Sequence, residues 1–319
     1  MRYVDAEAIH KALDYAGLIE ALRATYLVGV DFVDRFAFEE PIEGGKQNSW
    51  ILLPAWQYGK YQGIKMVSVF PNNSARGLAS VQGIYFLADG TSGAPLASFD
   101  GDALTVRRTA CNSALASTYL SRTDSKVLLM VGAGNLAPHM ISAHCAARAI
   151  EKVLVWNRSK ESTHKLVKLL GTAEGENSLA VEFEVVDDLE SACKRADIIT
   201  CATMATEPLI SGAWISPGCH LDLVGGYRPN MRECDDDVVR RAQVFVDARF
   251  STIADCGDIC QPIASGLLNE NEIADLFQLV RGERPGRKSP DQITLFKSGG
   301  GGHEDLGTAQ YLMSKLGAK

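Results

Sequence analysis

The chain has 319 residues, of which 46% are hydrophobic and 22% charged, an ordinary balance for a globular protein. This length is enough for two domains and a large core, and the formal net charge of −7 argues against nucleic acid or an anionic membrane as a partner. The eight cysteines include no C-x-x-C pair, and the six histidines lack metal-ligand spacing. We therefore predict a cytoplasmic protein with reduced thiols, no metal site, no signal peptide and no transmembrane helix.

The first 122 residues predict a mixed α+β unit. Residues 5–28 have a helical pattern that breaks near Gly17. Asp102 is predicted to cap a long helix that ends near Arg122. The strands predicted between these helices are Trp50–Leu53, Gly63–Phe70, Val81–Ala88 and Pro95–Phe99.

Two predicted elements of this unit carry a cation among apolar residues. Both faces of the strand that holds Lys65 are largely apolar, so this strand is predicted to be central and covered. Arg108 lies on an apolar helical stripe, but Arg107 has similar neighbours, so spacing alone does not choose between the two arginines. Buried cations need partners, so we predict a functional role for Lys65; the alternative is a side chain that reaches solvent from a strand end.

A glycine motif after residue 126 predicts a dinucleotide site. The apolar run Val127–Val131 leads into Gly132-Ala133-Gly134-Asn135-Leu136-Ala137, and a helical segment and a second strand, Val153–Trp156, follow. In this G-x-G-x-x-A turn the first glycine permits a tight turn, the second lets the backbone approach a pyrophosphate, and Ala137 allows close packing of helix on strand. The N–H groups at the start of the helix then face the phosphates.

The end of the second strand bears on which dinucleotide is bound. An NAD site usually has an acidic residue here for the ribose 2′-hydroxyl, whereas this chain reads Asn157-Arg158-Ser159. Arg158 can pair with a phosphate, which is worth roughly 1.5–3 kcal/mol. We therefore predict that NADPH is preferred and NADH is possible; the alternative is a solvated surface arginine.

The remainder of the chain continues a Rossmann-type alternation of strands and helices. A glycine run, residues 299–302, precedes a short C-terminal helix, and residues 281–290 are predicted to form an exposed loop. The further predicted strands are Val181–Val186, Asp197–Thr203, His220–Val224, Val244–Asp247 and Ile293–Lys297.

Several of these segments together resemble the ornithine cyclodeaminase/μ-crystallin family over nearly the whole chain. The resembling segments, besides the glycine turn and Asn157-Arg158-Ser159, are Leu53-Pro54-Ala55-Trp56, Lys65 with Phe70-Pro71-Asn72-Asn73, Leu104–Ala110, Phe296-Lys297-Ser298 and Glu304-Asp305-Leu306. The resemblance implies an α/β fold, in which a doubly wound parallel Rossmann-type domain (residues 123–297) is inserted into a mixed α+β substrate and dimerisation domain (residues 1–122 and 298–319). It also implies a homodimer.

The resemblance assigns roles to individual residues. Arg108 would bind the substrate carboxylate, Lys65 would contact the same substrate and polarise or protonate it, and Arg35 would supply a second carboxylate contact. Tyr227 is included among the predicted substrate-binding residues. The predicted cofactor site comprises residues 132–137 and 157–159 together with Thr203, Gly225 and Ser298.

Two segments depart from the ornithine cyclodeaminase pattern. Tyr227 stands where those enzymes have a catalytic Asp, and a tyrosine with an ordinary pKa of about 10 is a poor base at neutral pH. The run Leu221–Gly225 with Pro229, Met231, Arg232 and Glu233 instead resembles Δ1-pyrroline-2-carboxylate reductases of the family. The family also usually has apolar residues in place of most of the glycines at 299–302.

The sequence therefore favours an NAD(P)H-dependent reductase of a small cyclic imino acid, Δ1-pyrroline-2-carboxylate or its six-membered counterpart Δ1-piperideine-2-carboxylate. The alternatives are an ornithine or lysine cyclodeaminase, an amino-acid dehydrogenase, and a non-catalytic nucleotide-binding protein of the crystallin type. Retention of Lys65 and Arg108 argues against the last of these.

Overall fold

A computed structural model describes residues 1–42, 44, 47–171 and 179–317. The chain forms two compact units: Met1–Arg108 with Gly301–Lys319, and Thr109–Gly300. The first unit is thus built from both ends of the chain. The division falls inside a helix, whereas the predicted domain boundary follows residue 122, so the exact boundary stays a prediction.

The helices and strands follow one another in a mixed order before residue 121 and alternate after it. Up to residue 120 they are β1 (Arg2–Val4), α1 (Ala6–Ala12), α2 (Tyr15–Val28), β2 (Asp31–Phe32), β3 (Phe36–Pro41), β4 (Gln47–Gln57), β5 (Tyr61–Val69), β6 (Val81–Asp89), β7 (Pro95–Asp100) and α3 (Gly101–Leu120). They continue as β8 (Val127–Val131), α4 (Ala137–Ala147), β9 (Lys152–Trp156), α5 (Lys160–Gly171), β10 (Glu182–Val185), α6 (Leu189–Arg195), β11 (Ile198–Cys201), β12 (His220–Leu223), α7 (Asp236–Arg241), β13 (Gln243–Val246), α8 (Arg249–Thr252), α9 (Gly257–Ala264), β14 (Ala274–Asp275), α10 (Leu276–Val280), β15 (Thr294–Lys297) and α11 (Gly302–Lys315).

The sheet of the first unit has the order β1-β7-β6-β5-β4-β2, with β3 paired to β4. Strand β5 is central, as predicted, and pairs antiparallel with both of its neighbours. Helix α11 packs against β4, β5 and α2. The face of β5 that holds Lys65 is covered more completely than the face of Ile64 and Met66, which is half-buried. The prediction that both faces are covered is therefore right for one face only.

The N-terminal helical region is interrupted earlier than predicted. The break lies between α1 and α2, where the carboxylate of Asp14 accepts a hydrogen bond from the Gly17 N–H and caps the second helix. Gly17 itself lies inside α2, and a Cβ there would come within 1.9 Å of the Tyr311 hydroxyl. The glycine therefore serves packing against α11; the predicted break is present, but it lies about three residues before Gly17.

The cap of α3 also differs from the prediction. The helix begins at Gly101, and the carboxylate of Asp100 accepts a hydrogen bond from the Ala103 N–H at 2.9 Å. Asp102 lies in the first turn instead of at the cap. Both aspartates suit a helix start, and the end of β7 decides which of them caps it.

The second unit contains a parallel sheet in the order β10-β9-β8-β11-β12-β15-β13-β14. Its strands β11, β12 and β15 are fully buried, as expected for a sheet covered on both faces, and they include the polar side chains His220, Asp222 and Lys297. The predicted strands of this region are present with ends shifted by a few residues, and β14 was not predicted. The carboxyl ends of parallel strands lie at one edge of the sheet, where ligands of such folds bind.

Two further sequence predictions concern membrane-spanning helices and the segment 281–290. Among the described residues, no helix has the length and apolar character that crossing a bilayer requires. Residues 281–290 form no helix or strand and are mostly exposed, in accord with the predicted loop.

Candidate active site

A buried cluster of two cations and two carboxylates lies in the first unit. Lys65 projects from β5 and is only 3% exposed. Its Nζ lies 2.9 Å from Oδ2 and 3.0 Å from Oδ1 of Asp305, on the fully buried first turn of α11. The Thr105 hydroxyl is a further neighbour at 3.4 Å. Lys65 therefore does not extend to solvent, and that alternative is excluded.

Arg108 joins the same cluster. Its Nη1 pairs with the Glu304 carboxylate, and its Nε lies 3.2 Å from Asp305 Oδ1. Arg107 points elsewhere: it donates to His10 Nδ1 at 3.1 Å and to the His10 carbonyl at 3.0 Å. Of the two arginines, Arg108 is the one that shares the Asp305 carboxylate with Lys65. The structure therefore favours Arg108 for a role in the site.

The charges of this cluster balance when all four groups are ionised. Burial lowers the pKa of Lys65, and Arg108 lowers it further, while Asp305 acts in the opposite direction. The net effect is a pKa below that of an exposed lysine. A buried charge that lost its partner would be costly, which explains why each cation here has a carboxylate.

Glu304 and Asp305 belong to one of the resembling motifs, but the motif by itself predicted no role for them. The signal was available: two cations on apolar faces require counter-anions, and an acidic pair begins a predicted C-terminal helix. Tyr85 was missed entirely; it pairs with Lys65 across β5 and β6 and is fully buried. Burial raises the pKa of Tyr85 well above its usual value, so it remains a neutral phenol.

The second unit has a cavity of about 320 Å³ at the carboxyl edge of its sheet, within the usual size range of ligand pockets. It is lined by Trp156, the last residue of β9, and by residues that follow β8, β9 and β11: Gly132, Ala133, Gly134, Asn157, Arg158, Ala202, Thr203, Met204, Ala205 and Leu209. The structure thus brings much of the predicted cofactor site together around one cavity.

The glycine turn has the geometry that a dinucleotide requires. Gly132 has φ of +112°, and a Cβ there would lie 2.6 Å from the Ala202 carbonyl oxygen. A Cβ on Gly134 would meet no atom within 4 Å, so its backbone faces open space. Ala137 is buried, and α4 begins without a side-chain cap, but the N–H groups of Ala137 and His139 donate to the Gly134 and Leu136 carbonyls, and Pro138 has no N–H. The fit to a dinucleotide pyrophosphate therefore rests on the backbone of Gly132 and Gly134.

Of the three polar residues after β9, two line this cavity and the third is hydrogen-bonded to one of them. Asn157 and Arg158 line it, and the Asn157 amide donates to the Ser159 carbonyl at 3.2 Å. Among the described residues that line the cavity there is no carboxylate. Arg158 therefore lies at the cavity, and its contact with a cofactor ribose and the preference for NADPH both stay predictions.

Three other predicted cofactor residues have backbone or side-chain bonds within the protein. The Thr203 N–H and hydroxyl and the Gly225 N–H all donate to the buried Glu233 carboxylate. The Ser298 N–H donates to the Leu223 carbonyl at 3.0 Å. Contact of these three residues with a cofactor stays a prediction.

Two predicted substrate residues lie in connections outside the helices and strands. Tyr227 follows β12 and is 37% exposed, with the Arg228 guanidinium 5.4 Å from its ring centroid. Arg35 lies between β2 and β3 and is half-buried. Their contact with substrate stays a prediction.

The unusual glycine run has a local explanation. A Cβ on Gly299 would lie 2.4 Å from the Thr252 hydroxyl, and Gly300 has φ of +73°. Both N–H groups donate to the buried carboxylate of Asp247, at 2.8 and 2.6 Å. A Cβ on Gly302 would lie 3.0 Å from the Pro54 carbonyl. Close approach and backbone conformation thus account for three of these glycines.

A parallel sheet with a glycine turn and a cavity at its carboxyl edge defines a protein of the Rossmann type. This chain belongs to the ornithine cyclodeaminase/mu-crystallin family, which it matches over residues 8–319. The resemblance inferred from the motifs is confirmed.

Relatives of this chain include proteins with a named activity. The Δ1-pyrroline-2-carboxylate reductase of Paracoccus denitrificans is 41% identical over 260 residues, which cover 81% of this chain and 80% of that protein. The protein of the same name from Colwellia psychrerythraea is 34% identical over 319 residues, 99% of each chain. The structure of Thermococcus litoralis Δ1-pyrroline-2-carboxylate reductase in complex with NADH and L-proline is 31% identical, with a TM-score of 0.89, and covers 99% of this chain and 97% of that chain.

Proposed function

We propose that this protein is an NAD(P)H-dependent reductase that converts Δ1-pyrroline-2-carboxylate to L-proline, or Δ1-piperideine-2-carboxylate to L-pipecolate. The observation that carries the proposal is the buried cluster in which Lys65 and Arg108 share the carboxylate of Asp305. Relatives at 41% and 34% identity that are named Δ1-pyrroline-2-carboxylate reductases support the same substrate class.

The cluster suits a small zwitterion. A guanidinium has five N–H donors, so Arg108 can bind a substrate carboxylate while it keeps its two carboxylate partners. Lys65 adds a second positive charge that stabilises the bound substrate carboxylate, or it donates a proton to the imine nitrogen and so makes the imine carbon more electrophilic. When bound, the dinucleotide supplies the hydride that the imine carbon accepts. A protonated imino acid carries one positive and one negative charge. Because the charges of the cluster also cancel, binding leaves the total charge of the site unchanged.

Tyr227 separates this proposal from cyclodeamination. Formation of proline from ornithine requires hydride removal, loss of ammonia, ring closure and hydride return, and these steps need a proton acceptor at neutral pH. Reduction of a preformed imine needs only a hydride and a proton that the imine already carries. A half-exposed phenol at this position suits the shorter reaction.

We further propose that NADPH is the preferred cofactor. Support comes from Arg158, which lines the cavity after β9 where an NAD-specific site would have an acidic residue. A phosphate on the ribose 2′ position would pair with this guanidinium.

We also propose a homodimer that forms through the sheet of the first unit. The face of this sheet opposite Lys65 carries exposed apolar side chains, among them Phe38 (57%) and Trp50 (48%), which lie opposite each other on β3 and β4. A contiguous apolar face of this kind marks an interaction surface in a soluble protein. Trp50→Glu should shift sedimentation from dimer to monomer. A wild-type protein that sediments only as a monomer at micromolar concentration would contradict the proposal.

A pair of assays tests the function. Purified protein with NADPH or NADH and either cyclic imino acid should consume the reduced cofactor and yield proline or pipecolate by chromatography. In parallel, the protein with NAD(P)+ and L-ornithine should release little ammonia. Ammonia and proline formed from ornithine at a rate comparable to imine reduction would replace the proposal with a cyclodeaminase.

A further inference from the structure

The Glu233 carboxylate joins the ends of two neighbouring strands in the second unit. Its Oε1 accepts hydrogen bonds from both the N–H and the hydroxyl of Thr203, each at 2.8 Å. Its Oε2 accepts from the Gly225 N–H at 2.7 Å. Thr203 follows β11 and Gly225 follows β12, so one side chain fixes two adjacent strand ends. Glu233 is fully buried.

The first of these strand ends is also a wall of the dinucleotide cavity. Thr203 and Ala205 both line the cavity, and the Ala205 N–H donates to the Thr203 hydroxyl at 3.3 Å. The hydroxyl therefore donates to Glu233 and accepts from Ala205, which fixes its orientation. Glu233 does not line the cavity, but a shift of its carboxylate would move Thr203 and Ala205, which do.

The second strand end leaves no room for another arrangement. A Cβ on Gly225 would lie 2.3 Å from Glu233 Oε1 and 2.3 Å from the Thr203 carbonyl oxygen. Backbone and carboxylate are in direct contact at this turn, so the position of one determines that of the other.

A further ion pair holds Glu233 in place. Asp258, on α9, accepts hydrogen bonds from the N–H groups of Glu233 at 2.8 Å and Cys234 at 3.3 Å. Its other oxygen lies 3.5 Å from Nζ of Lys297, the last residue of β15. All of these side chains are fully buried, and they connect the ends of β11, β12 and β15, which are neighbours in the sheet.

We propose that Glu233 is a positioning residue for the dinucleotide, which fixes the 203–205 segment and the Gly225 turn in the arrangement that binds it. The proposal rests on the dinucleotide site of the proposed function and extends it to a residue outside the cavity. It differs from a purely structural role because it requires cofactor affinity to depend on this carboxylate.

The charge state of Glu233 supplies a readout. Burial raises its pKa to about 7; Lys297 lowers the pKa and Asp258 raises it. Of the other titratable groups that face it, Cys201 on β11 and Cys234 have pKa values well above the usual range and stay thiols. Burial lowers the pKa of Lys297, but Asp258 and other acidic groups raise it more, so this lysine stays charged. Glu233 is therefore the member of this set expected to change charge near neutral pH.

Protonation would disrupt the bonds that Glu233 makes. A carboxylate accepts three hydrogen bonds here, whereas a protonated carboxyl group turns one oxygen into a donor. One of the N–H or O–H donors of Thr203 or Gly225 would then lose its acceptor. Dinucleotide affinity should therefore increase as the pH rises through about 7, the pKa of Glu233.

The experiment is a fluorescence titration with NADH from about pH 6 to about pH 8, a range that spans the expected change. NADH is the probe because the 2′-phosphate of NADPH titrates in the same range. Wild-type protein should bind NADH more tightly at the upper pH. Glu233→Gln should bind roughly tenfold more weakly at the upper pH, equivalent to the loss of about 1.4 kcal/mol, and its affinity should be independent of pH.

A matched control separates positioning from general damage. Asp222 on β12 is another fully buried carboxylate; it accepts from the Thr200 hydroxyl at 2.7 Å, lies 3.0 Å from His144 Nε2 and does not line the cavity. Asp222→Asn should leave the NADH affinity and its pH dependence unchanged.

Two results would overturn the inference. One is Glu233→Gln protein that binds NADH as tightly as wild type across the pH range. The other is a wild-type affinity that does not change with pH, which is informative even if the variant does not fold. Imine turnover is a separate measurement. If NADH affinity depends on the Glu233 carboxylate but no imino acid is reduced, the proposed function is refuted and the positioning role of Glu233 is not.

Discussion

Replacement of Lys65 by methionine removes the charge and keeps the length of the side chain. The buried Asp305 carboxylate would then retain only Arg108, whose Nε lies 3.2 Å from Oδ1. Breaking a buried ion pair costs about 3–5 kcal/mol, and the remaining arginine contact favours the lower end, about 3 kcal/mol of unfolding free energy. A charge-assisted hydrogen bond to the substrate is worth roughly 1.5–3 kcal/mol, so kcat/KM for the imino acid should fall on the order of 10–100-fold.

A second substitution distinguishes catalysis from stability. Asp305→Asn in the Lys65→Met background removes the excess negative charge, so much of the lost unfolding free energy should be regained. Activity should not return, because the cation remains absent. Chemical denaturation measures the first quantity, steady-state kinetics the second, and NADH titration should give wild-type affinity throughout. Wild-type kcat/KM in Lys65→Met protein would refute the reasoning and make Lys65 a structural ion pair.

Three further outcomes are expected. Arg158→Ala should raise the KM for NADPH and leave that for NADH nearly unchanged; equal losses with both cofactors would mean that Arg158 does not contact the 2′-phosphate. Arg108→Ala should lower kcat/KM for the imino acid far more than Arg107→Ala while NADH binding is kept, and the reverse ranking would assign the role to the wrong arginine. Burial lowers the pKa of His220 from 6.5 to about 3 in the folded protein. Between these two pH values the unfolded chain binds a proton at this residue and the folded protein does not. The free energy of unfolding should therefore fall as the pH drops below 6.5. His220→Gln should reduce that slope in denaturation measurements at a series of pH values.

Local patterns explain which parts of the fold were predictable. The glycine turn, the strand before it and the helix after it are contiguous in sequence, so their residue types alone indicate a dinucleotide site. The central position of β5 followed from apolar residues on both faces. The misplaced features at Gly17 and Asp102 have one cause: several residues in each segment can break or cap a helix, and the Asp14 and Asp100 carboxylates are the ones that cap α2 and α3.

The family, the Rossmann-type fold and the presence of two cations that needed anions could be predicted from the residues in chain order. Which groups contact one another depends on the folded structure. Asp305 is 240 positions from Lys65, and Glu304 is 196 positions from Arg108. Glu233 likewise contacts Thr203, 30 positions earlier. Periodicity and motif spacing describe neighbours along the chain, whereas the pairing of buried charges depends on segments brought together by folding. For that reason the choice of Arg108 over Arg107 required the three-dimensional structure.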